Sequence, residues 1–116
     1  MGKTSMGLEE NIAGLLCYVL GWITGIVFLV LEKENKFVRF HAWQSIATFL
    51  PLSILAWILG AIGVALWWLG GFIFSAISWL IWIIVLILWL ILMFKAYQGE
   101  MYKLPIVGDF AEARTK

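Results

Sequence analysis

The chain has 116 residues, of which 64% are hydrophobic and 13% are charged, with a formal net charge of +1. Soluble domains carry about 25% charged residues, so this chain has too little polar surface to cover a water-soluble core. The near-neutral charge excludes the basic footprint of a nucleic-acid-binding protein. These values predict an all-α integral membrane protein, forming a single membrane domain over residues 1–116.

The first apolar run predicts a membrane span over residues 12–31, because its uncharged residues rise about 30 Å as a helix, the thickness of the hydrocarbon core. We expect no secretory signal peptide, since only Lys3 precedes the run. Gly21 and Gly25 form a GxxxG pair, and with Gly14 they predict close helix packing. The packing partner is either another helix of this chain or a second copy.

A polar loop over residues 32–45 follows, in which Asn35 is placed to cap a short amphipathic helix. Its mixture of aromatic and basic side chains is typical of a membrane interface. We predict that this loop and the C-terminal tail form a cytoplasmic interaction cluster. The candidate residues are Glu32, Asn35, Lys36, Phe37, Arg39, Phe40, His41, Gln44 and Glu100.

Within that cluster we expect Arg39, His41 and Gln44 to form a hydrogen-bonded group at the mouth of the second span, because partly buried polar groups need partners. The group would reach the acids of the loop or the tail near Glu100, with the Arg39 guanidinium paired to a carboxylate. The alternative is that Arg39 extends to lipid phosphate while His41 and Gln44 remain solvated.

No charged residue occurs from Ala42 to Phe94. That length accommodates two spans, predicted at residues 46–69 and 72–94, with the break at the paired tryptophans and glycines of residues 67–71. Ala56 and Gly60 are candidate helix-packing positions in the second span. The tail, residues 95–116, contains a short amphipathic patch at residues 106–111.

The basic residues predict how three spans would be oriented. Seven Lys and Arg residues lie in the first loop and the tail, and Lys3 lies on the other side. The positive-inside rule therefore predicts a multi-pass protein of a prokaryotic inner membrane, with the N-terminus outside and the C-terminus cytoplasmic.

Two segments carry a resemblance to a known family: ENIAGLLCYVLGWITGIVFLVLEKENKFVRFHAWQS and KAYQGEMYKLPIVGD. They resemble a large prokaryotic family of small uncharacterised membrane proteins, often described as similar to the twenty-kilodalton component of the chloroplast inner-envelope protein translocon (Tic-twenty-like). The most specific parts are residues 37–42 with Gln44, Gly99–Glu100 and residues 103–105. The resemblance implies a helical membrane protein with a link to protein transport, and it supplies no catalytic or ligand residues.

We predict that the protein is not an enzyme and holds no cofactor or metal, because no ionisable pair falls within a span and His41 has no second His or Cys beside it. Cys17 is expected to be a small packing residue. The predicted function is a membrane scaffold, or an assembly- or translocation-associated subunit. Its predicted partners are the lipid bilayer, anionic lipid headgroups, further copies of the chain or other membrane proteins.

The alternative function is an oligomeric pore or transporter. Hydroxyl side chains would line such a pore, although hydroxyls within helices commonly bond to their own backbone instead. The candidate lining residues are Ser45, Thr48, Ser53, Ser75 and Ser78.

Overall fold

The computed structural model of the protein describes Thr4 and residues 7–115. Its elements are helices, packed into an elongated molecule of 55 × 23 × 23 Å. In chain order they are α1 (Glu10–Val19), α2 (Trp22–Leu31), α3 (Lys36–Ala65), a 3₁₀ turn (Trp67–Leu69), α4 (Phe72–Tyr97) and α5 (Val107–Thr115).

Helices α3 and α4 form an antiparallel pair, and both are long and apolar enough to cross a membrane. The chain reverses where predicted, through the 3₁₀ turn and Gly70, whose φ of +83° is one that glycine adopts without steric cost. The Ser78 hydroxyl donates to the Ala56 carbonyl at 2.7 Å, which joins the two helices in the part nearer the turn. This pair is the frame on which the other elements pack.

The prediction of one continuous span over residues 12–31 is wrong, because the run is divided into α1 and α2 at Gly21. That residue has φ +63° and ψ −133°, which no helix contains. The two helices have ten residues each, so each rises only about 15 Å, half the thickness of the hydrocarbon core. Neither can cross a bilayer alone.

The contacts with α3 show that α1 and α2 form a helical hairpin. Along α1 the contacted residues lie progressively further along α3, from His41 beside Gly14 to Phe49 beside Gly21. Along α2 the contacts move back toward the start of α3, since Gly25 lies against Ser45 and the Leu29 carbonyl accepts from Arg39. The hairpin therefore reaches about halfway along α3 and comes back to the end at which it started.

The turn of this hairpin has backbone carbonyls that accept from side chains, as helix-end carbonyls in apolar surroundings require. Donors from three helices supply the bonds. They run from Thr24 Oγ1 to Cys17 O at 3.1 Å, from Ser45 Oγ to Gly21 O at 2.7 Å and from Trp89 Nε1 to Tyr18 O at 2.6 Å. These bonds explain why an apolar run that could have formed a spanning helix folds as a hairpin instead.

Helix α3 begins at Lys36, so its first turns are the short helix predicted for the loop. Asn35 caps it as predicted, with its side-chain oxygen accepting from Val38 N at 3.1 Å. The connection between α2 and α3 is therefore residues 32–35, not 32–45, and the second long helix covers Lys36–Ala65, not residues 46–69. Helix α4 extends the predicted third span, residues 72–94, to Tyr97.

The two ends of the described chain lie in the same half of the molecule. Asn11 Nδ2, in the first turn of α1, donates to Tyr97 O at the end of α4, at 3.1 Å. The tail then contacts the first turns of α3 through His41. The three-span arrangement, with the start and end of the chain on opposite faces, does not fit this fold. Lys3 and Lys116, which entered the predicted charge count, lie outside the described residues.

The predicted packing glycines have different roles. Gly21 lies in the hairpin turn, so the helical GxxxG motif is not formed. Gly25 packs closely, because a Cβ there would lie 3.0 Å from Ala42 O, and Gly14 and Gly60 also face other helices of the same chain. Ala56 is fully buried. The closest approaches of these residues are thus within one chain.

Candidate functional site

A buried polar network lies where α1, α3 and the tail meet. Its three side chains are Tyr18, His41 and Gln44, each fully buried. The spacing of His41 and Gln44 along α3 places them on one face, and α1 brings Tyr18 against that face. Buried polar side chains are retained at low free-energy cost only where each finds a partner.

The distances determine which atom donates in each bond of the network. The Glu100 carbonyl lies 2.9 Å from His41 Nε2 and only accepts, so Nε2 carries the proton. His41 Nδ1 then accepts from the Tyr18 hydroxyl at 2.6 Å. Gln44 Nε2 donates both to the Tyr18 oxygen at 3.1 Å and to Tyr102 O at 2.8 Å. This assignment satisfies a neutral His41 completely.

The network supports the tail backbone. Leu104 N donates to Gln44 Oε1 at 3.0 Å, so the backbone groups of Glu100, Tyr102 and Leu104 all bond to α3 side chains. This segment is not helical and lies beside a helix that could cross the membrane. Without neighbouring strands or water, such backbone requires side-chain partners. His41 and Gln44 thus anchor the tail.

After this segment the tail reverses, and α5 returns along the outside of α3. Ala111 is fully buried, and the Phe110 ring meets the Trp43 ring edge-on at 6.1 Å. The Arg114 guanidinium lies over the Trp43 ring at 5.8 Å. The predicted amphipathic patch is therefore partly used against α3, although Ile106 at its start is 84% exposed.

Arg39 is not bonded to this network. Its Nη1 donates to Leu29 O at 3.0 Å and to Glu32 O at 2.9 Å, which are carbonyls at the C-terminal end of α2. A cation at that end also complements the helix dipole. The predicted pairing of Arg39 with a carboxylate is not among the salt bridges of the described residues, and the Glu100 carboxylate pairs with Lys95 at 3.3 Å.

The other predicted cluster residues lie in the connection between α2 and α3 or in the first turns of α3. The buried Glu32 accepts from the backbone of Glu34 and Asn35, at 3.1 and 3.0 Å. The rings of Phe37 and Phe40 pack edge-on against His41, with centroids 4.6 and 5.2 Å away. Lys36 lies instead at an open cavity.

That cavity, of about 570 Å³, lies between the C-terminal end of α2, the start of α3 and the end of α5. Four of its side chains are basic and one is acidic. The lining residues are Leu29, Val30, Lys33, Glu34, Lys36, Arg39, Arg114 and Thr115.

The remaining basic residues of the tail are paired. Lys103 contacts Glu112 at 3.3 Å and Asp109 at 3.6 Å. The hydrogen bond and negative charge of Glu112, together with Asp109, raise the pKa of Lys103 above its usual value. Lys95 pairs with Glu100. The uncompensated positive charge is therefore concentrated at the cavity.

Tyr18, Thr24 and Trp89 were not among the functional residues predicted from the sequence. A tyrosine buried in an apolar run usually has a hydrogen-bonded hydroxyl, so a hydrogen-bonding role for Tyr18 could have been predicted from the sequence. The tail groups that the network binds are backbone atoms, which no residue type reveals.

Two of the hydroxyls proposed for a pore are bonded within the chain: Ser45 to Gly21 O and Ser78 to Ala56 O. Among the described residues, no group of three His, Cys, Asp or Glu side chains is arranged to hold a metal ion.

Two long apolar helices, a helical hairpin and an anchored tail define the class: a small helical membrane protein whose described charged residues are gathered at one end. A family described as the magnetosome magnetite crystal formation protein family matches residues 4–111. The chain belongs to this family.

Similar archaeal proteins carry the same description, UPF0132 membrane protein. One from Methanocaldococcus jannaschii is 53% identical over 97% of this chain and 94% of its own length. A second from that organism is 48% identical over 93% of this chain and 71% of its own length. One from Archaeoglobus fulgidus is 43% identical over 90% of this chain and 94% of its own length. No solved structure matches the chain.

These comparisons confirm the prediction of a family of small prokaryotic membrane proteins, and they support a location in the membrane. The family description and the names of these relatives do not mention protein translocation. The resemblance to the chloroplast translocon component therefore stays a prediction.

Proposed function

We propose that the protein is a non-catalytic membrane scaffold or assembly subunit, whose binding surface is its charged end. The observation that supports this best is the Tyr18–His41–Gln44 network. By anchoring residues 100–104 to α3, it turns the α2–α3 connection and the tail into one surface of fixed shape. A preorganised surface loses less entropy on binding than two flexible segments would.

The topology we propose for a multi-pass protein of the prokaryotic cell membrane has α3 and α4 crossing the bilayer. The α1–α2 hairpin and the tail enter from one side and return to it. The basic residues of the described chain all belong to that side, which the positive-inside rule assigns to the cytoplasm. Both termini are then cytoplasmic, which replaces the predicted external N-terminus.

The partners we propose are membrane proteins, including further copies of this chain, and the lipid of the cytoplasmic leaflet. A role in protein translocation rests on the resemblance alone, and a role in mineral formation rests on the family description alone. The scaffold proposal requires neither.

Photo-crosslinking in native membranes tests the proposal. A photoreactive residue at exposed Glu34 samples the charged end, and one at Leu80, which is 56% exposed on α4, serves as the matched control. We expect discrete protein adducts from Glu34 and mainly lipid adducts from Leu80. Equal, diffuse adducts from both positions would contradict the scaffold.

The alternative, an oligomeric pore or transporter, is tested with purified protein in liposomes. A scaffold leaves the permeability of the vesicles to ions and small solutes unchanged. Protein-dependent flux that is lost in a Ser53→Val variant, and kept in Trp57→Phe, would favour the pore instead.

A further inference from the structure

We propose that the basic cavity binds the phosphate of an anionic membrane lipid, with the headgroup held by Lys33, Lys36, Arg39 and Arg114 and the first part of an acyl chain lying along Leu29 and Val30. This inference rests on the proposed function, and it names the ligand for one part of the charged surface.

The charge of the cavity favours an anionic ligand. Six Lys and Arg residues occur among the described residues, and two of them, Lys95 and Lys103, have carboxylate partners. Within that part of the chain the other four have no salt bridge, and all four line this cavity. Glu34 is the only acidic side chain in the lining. Like charges held together repel, so an anion stabilises the arrangement.

The geometry of the basic side chains suits a phosphate group. The four basic residues come from three different elements, so only the folded chain gathers them. Arg39 is oriented by its two bonds from Nη1, and the described residues include no partner for its Nε or Nη2. Arg114 is oriented by the rings of Trp43 and Phe110, at 5.8 and 5.2 Å. Two guanidinium groups positioned in this way suit phosphate oxygens, which Arg binds with paired donors.

The apolar surface beside the cavity favours lipid as the source of the phosphate. The wall formed by α2 is apolar and faces outward, with Val30 62% and Leu31 58% exposed. The cavity thus opens beside an apolar helix surface at the end of the molecule where charged residues begin. A free phosphate ion makes no favourable contact with that wall. A phospholipid has a phosphate for the basic side chains and an acyl chain for the apolar wall.

Native mass spectrometry of the full-length protein in detergent tests the inference, with phosphatidylglycerol as the anionic probe and phosphatidylcholine as the zwitterionic one. The site variant carries Lys33→Gln, Lys36→Gln and Arg114→Gln. Arg39 is left intact, because it also caps α2. The control variant carries Lys95→Gln and Lys103→Gln, which remove basic residues from the same end but not from the cavity.

We expect wild type and the control variant to retain phosphatidylglycerol over phosphatidylcholine, and the site variant to bind it at least about tenfold more weakly, since each basic residue contributes to anionic-lipid binding. A thermal unfolding midpoint near that of wild type shows that the site variant is folded. If it is not folded, the single variant Lys33→Gln replaces it, with an expected loss of about threefold.

Three results would overturn the inference: equal losses in the site and control variants, equal retention of the two lipids by wild type, or displacement of the lipid by inorganic phosphate at matched concentration. The last result assigns the site to free phosphate. If lipid selectivity fails while the Glu34 crosslinks to protein persist in the site variant, the scaffold proposal stands and only the lipid assignment fails.

Discussion

Tyr18 is the residue on which the polar network depends, because its hydroxyl both donates and accepts. It gives its proton to His41 Nδ1 and receives one from Gln44 Nε2. No other neutral side chain of that size does both from one atom. The Trp89 bond to the Tyr18 carbonyl further fixes the residue at the end of α1.

The first prediction is that Tyr18→Phe destabilises the protein. The change leaves His41 Nδ1 and one Gln44 N–H without partners in a buried site, at about 1–3 kcal/mol for each group. Unfolding of the purified protein in mixed micelles measures the loss. Tyr97→Phe is the control, because that ring is 51% exposed and should change stability little.

The network also implies coupling between its members. Tyr18→Phe combined with His41→Phe should cost less than the sum of the two single changes, since the second removes a group that the first has already left unpaired. Additive effects would show that the two side chains act independently, contrary to the assigned bonds.

Gly25 carries the second prediction. A Cβ at this position meets a backbone atom, Ala42 O, at 3.0 Å, and backbone cannot rotate away. Gly25→Ala should therefore lower the free energy of unfolding by about 1–3 kcal/mol. In Gly60→Ala the nearest atom is the Ser78 hydroxyl oxygen at 3.3 Å, which can move, so this control should lose less. The reverse order would contradict the close contact between α2 and α3.

Two segments of the chain run along α3 and then turn back. In each of them, side chains rather than water bond to the backbone groups that the turn leaves unpaired. The α1–α2 hairpin relies on Thr24, Ser45 and Trp89 for its turn, and the tail relies on His41 and Gln44. Both lie against the N-terminal half of α3. That half of the helix therefore carries nearly all of its buried polar residues.

The third prediction concerns the tail. Ending the chain after Gln98 removes the Glu100 and Tyr102 carbonyls and the Leu104 N–H that bond to His41 and Gln44. We expect the free energy of unfolding to fall by about 3 kcal/mol or more, from the loss of three partly buried bonds. Ending it after Pro105 removes α5 but keeps Glu100, Tyr102 and Leu104, so the loss should be smaller. The two truncations are compared by thermal unfolding in detergent. Similar stability of both would show that the network does not anchor the tail.

The whole molecule is polar at one end and apolar at the other. From Ala56 to Leu80 the fold is a bare pair of helices with large outward-facing side chains, such as Trp57 and Trp79, each 71% exposed. Lipid covers such surfaces at no cost. The charged residues that the structure describes lie in the other half, where the hairpin and the tail surround α3.

The fourth prediction is the sidedness of the chain. In a Cys17→Ser background, single cysteines at Glu9, Lys33 and Ala113 should react with a membrane-impermeant thiol reagent from one side of sealed vesicles. A cysteine at Leu69, in the turn between α3 and α4, should react only from the other side. Opposite sidedness of positions 9 and 33 would restore the three-span model and refute the re-entrant hairpin.

Hydropathy and charge, which are local properties of the sequence, determined that this is a helical membrane protein. They also located the turn at residues 67–71, the cap at Asn35 and the segments that form the charged end. Each of these follows from which residue types adjoin along the chain. The structure also brings His41 beside Glu100, two members of the cluster predicted from the sequence.

Only the tertiary structure decided that residues 12–31 fold back on themselves. As a sequence this run satisfies the rule for a span, because every residue is uncharged. Whether Gly21 continues the helix or breaks it depends on donors from Ser45 and Trp89, distant in sequence, which bond the carbonyls that the break exposes. The same holds for Arg39, whose partners are backbone oxygens, and for the basic cavity, whose members meet only after α5 has packed on α3.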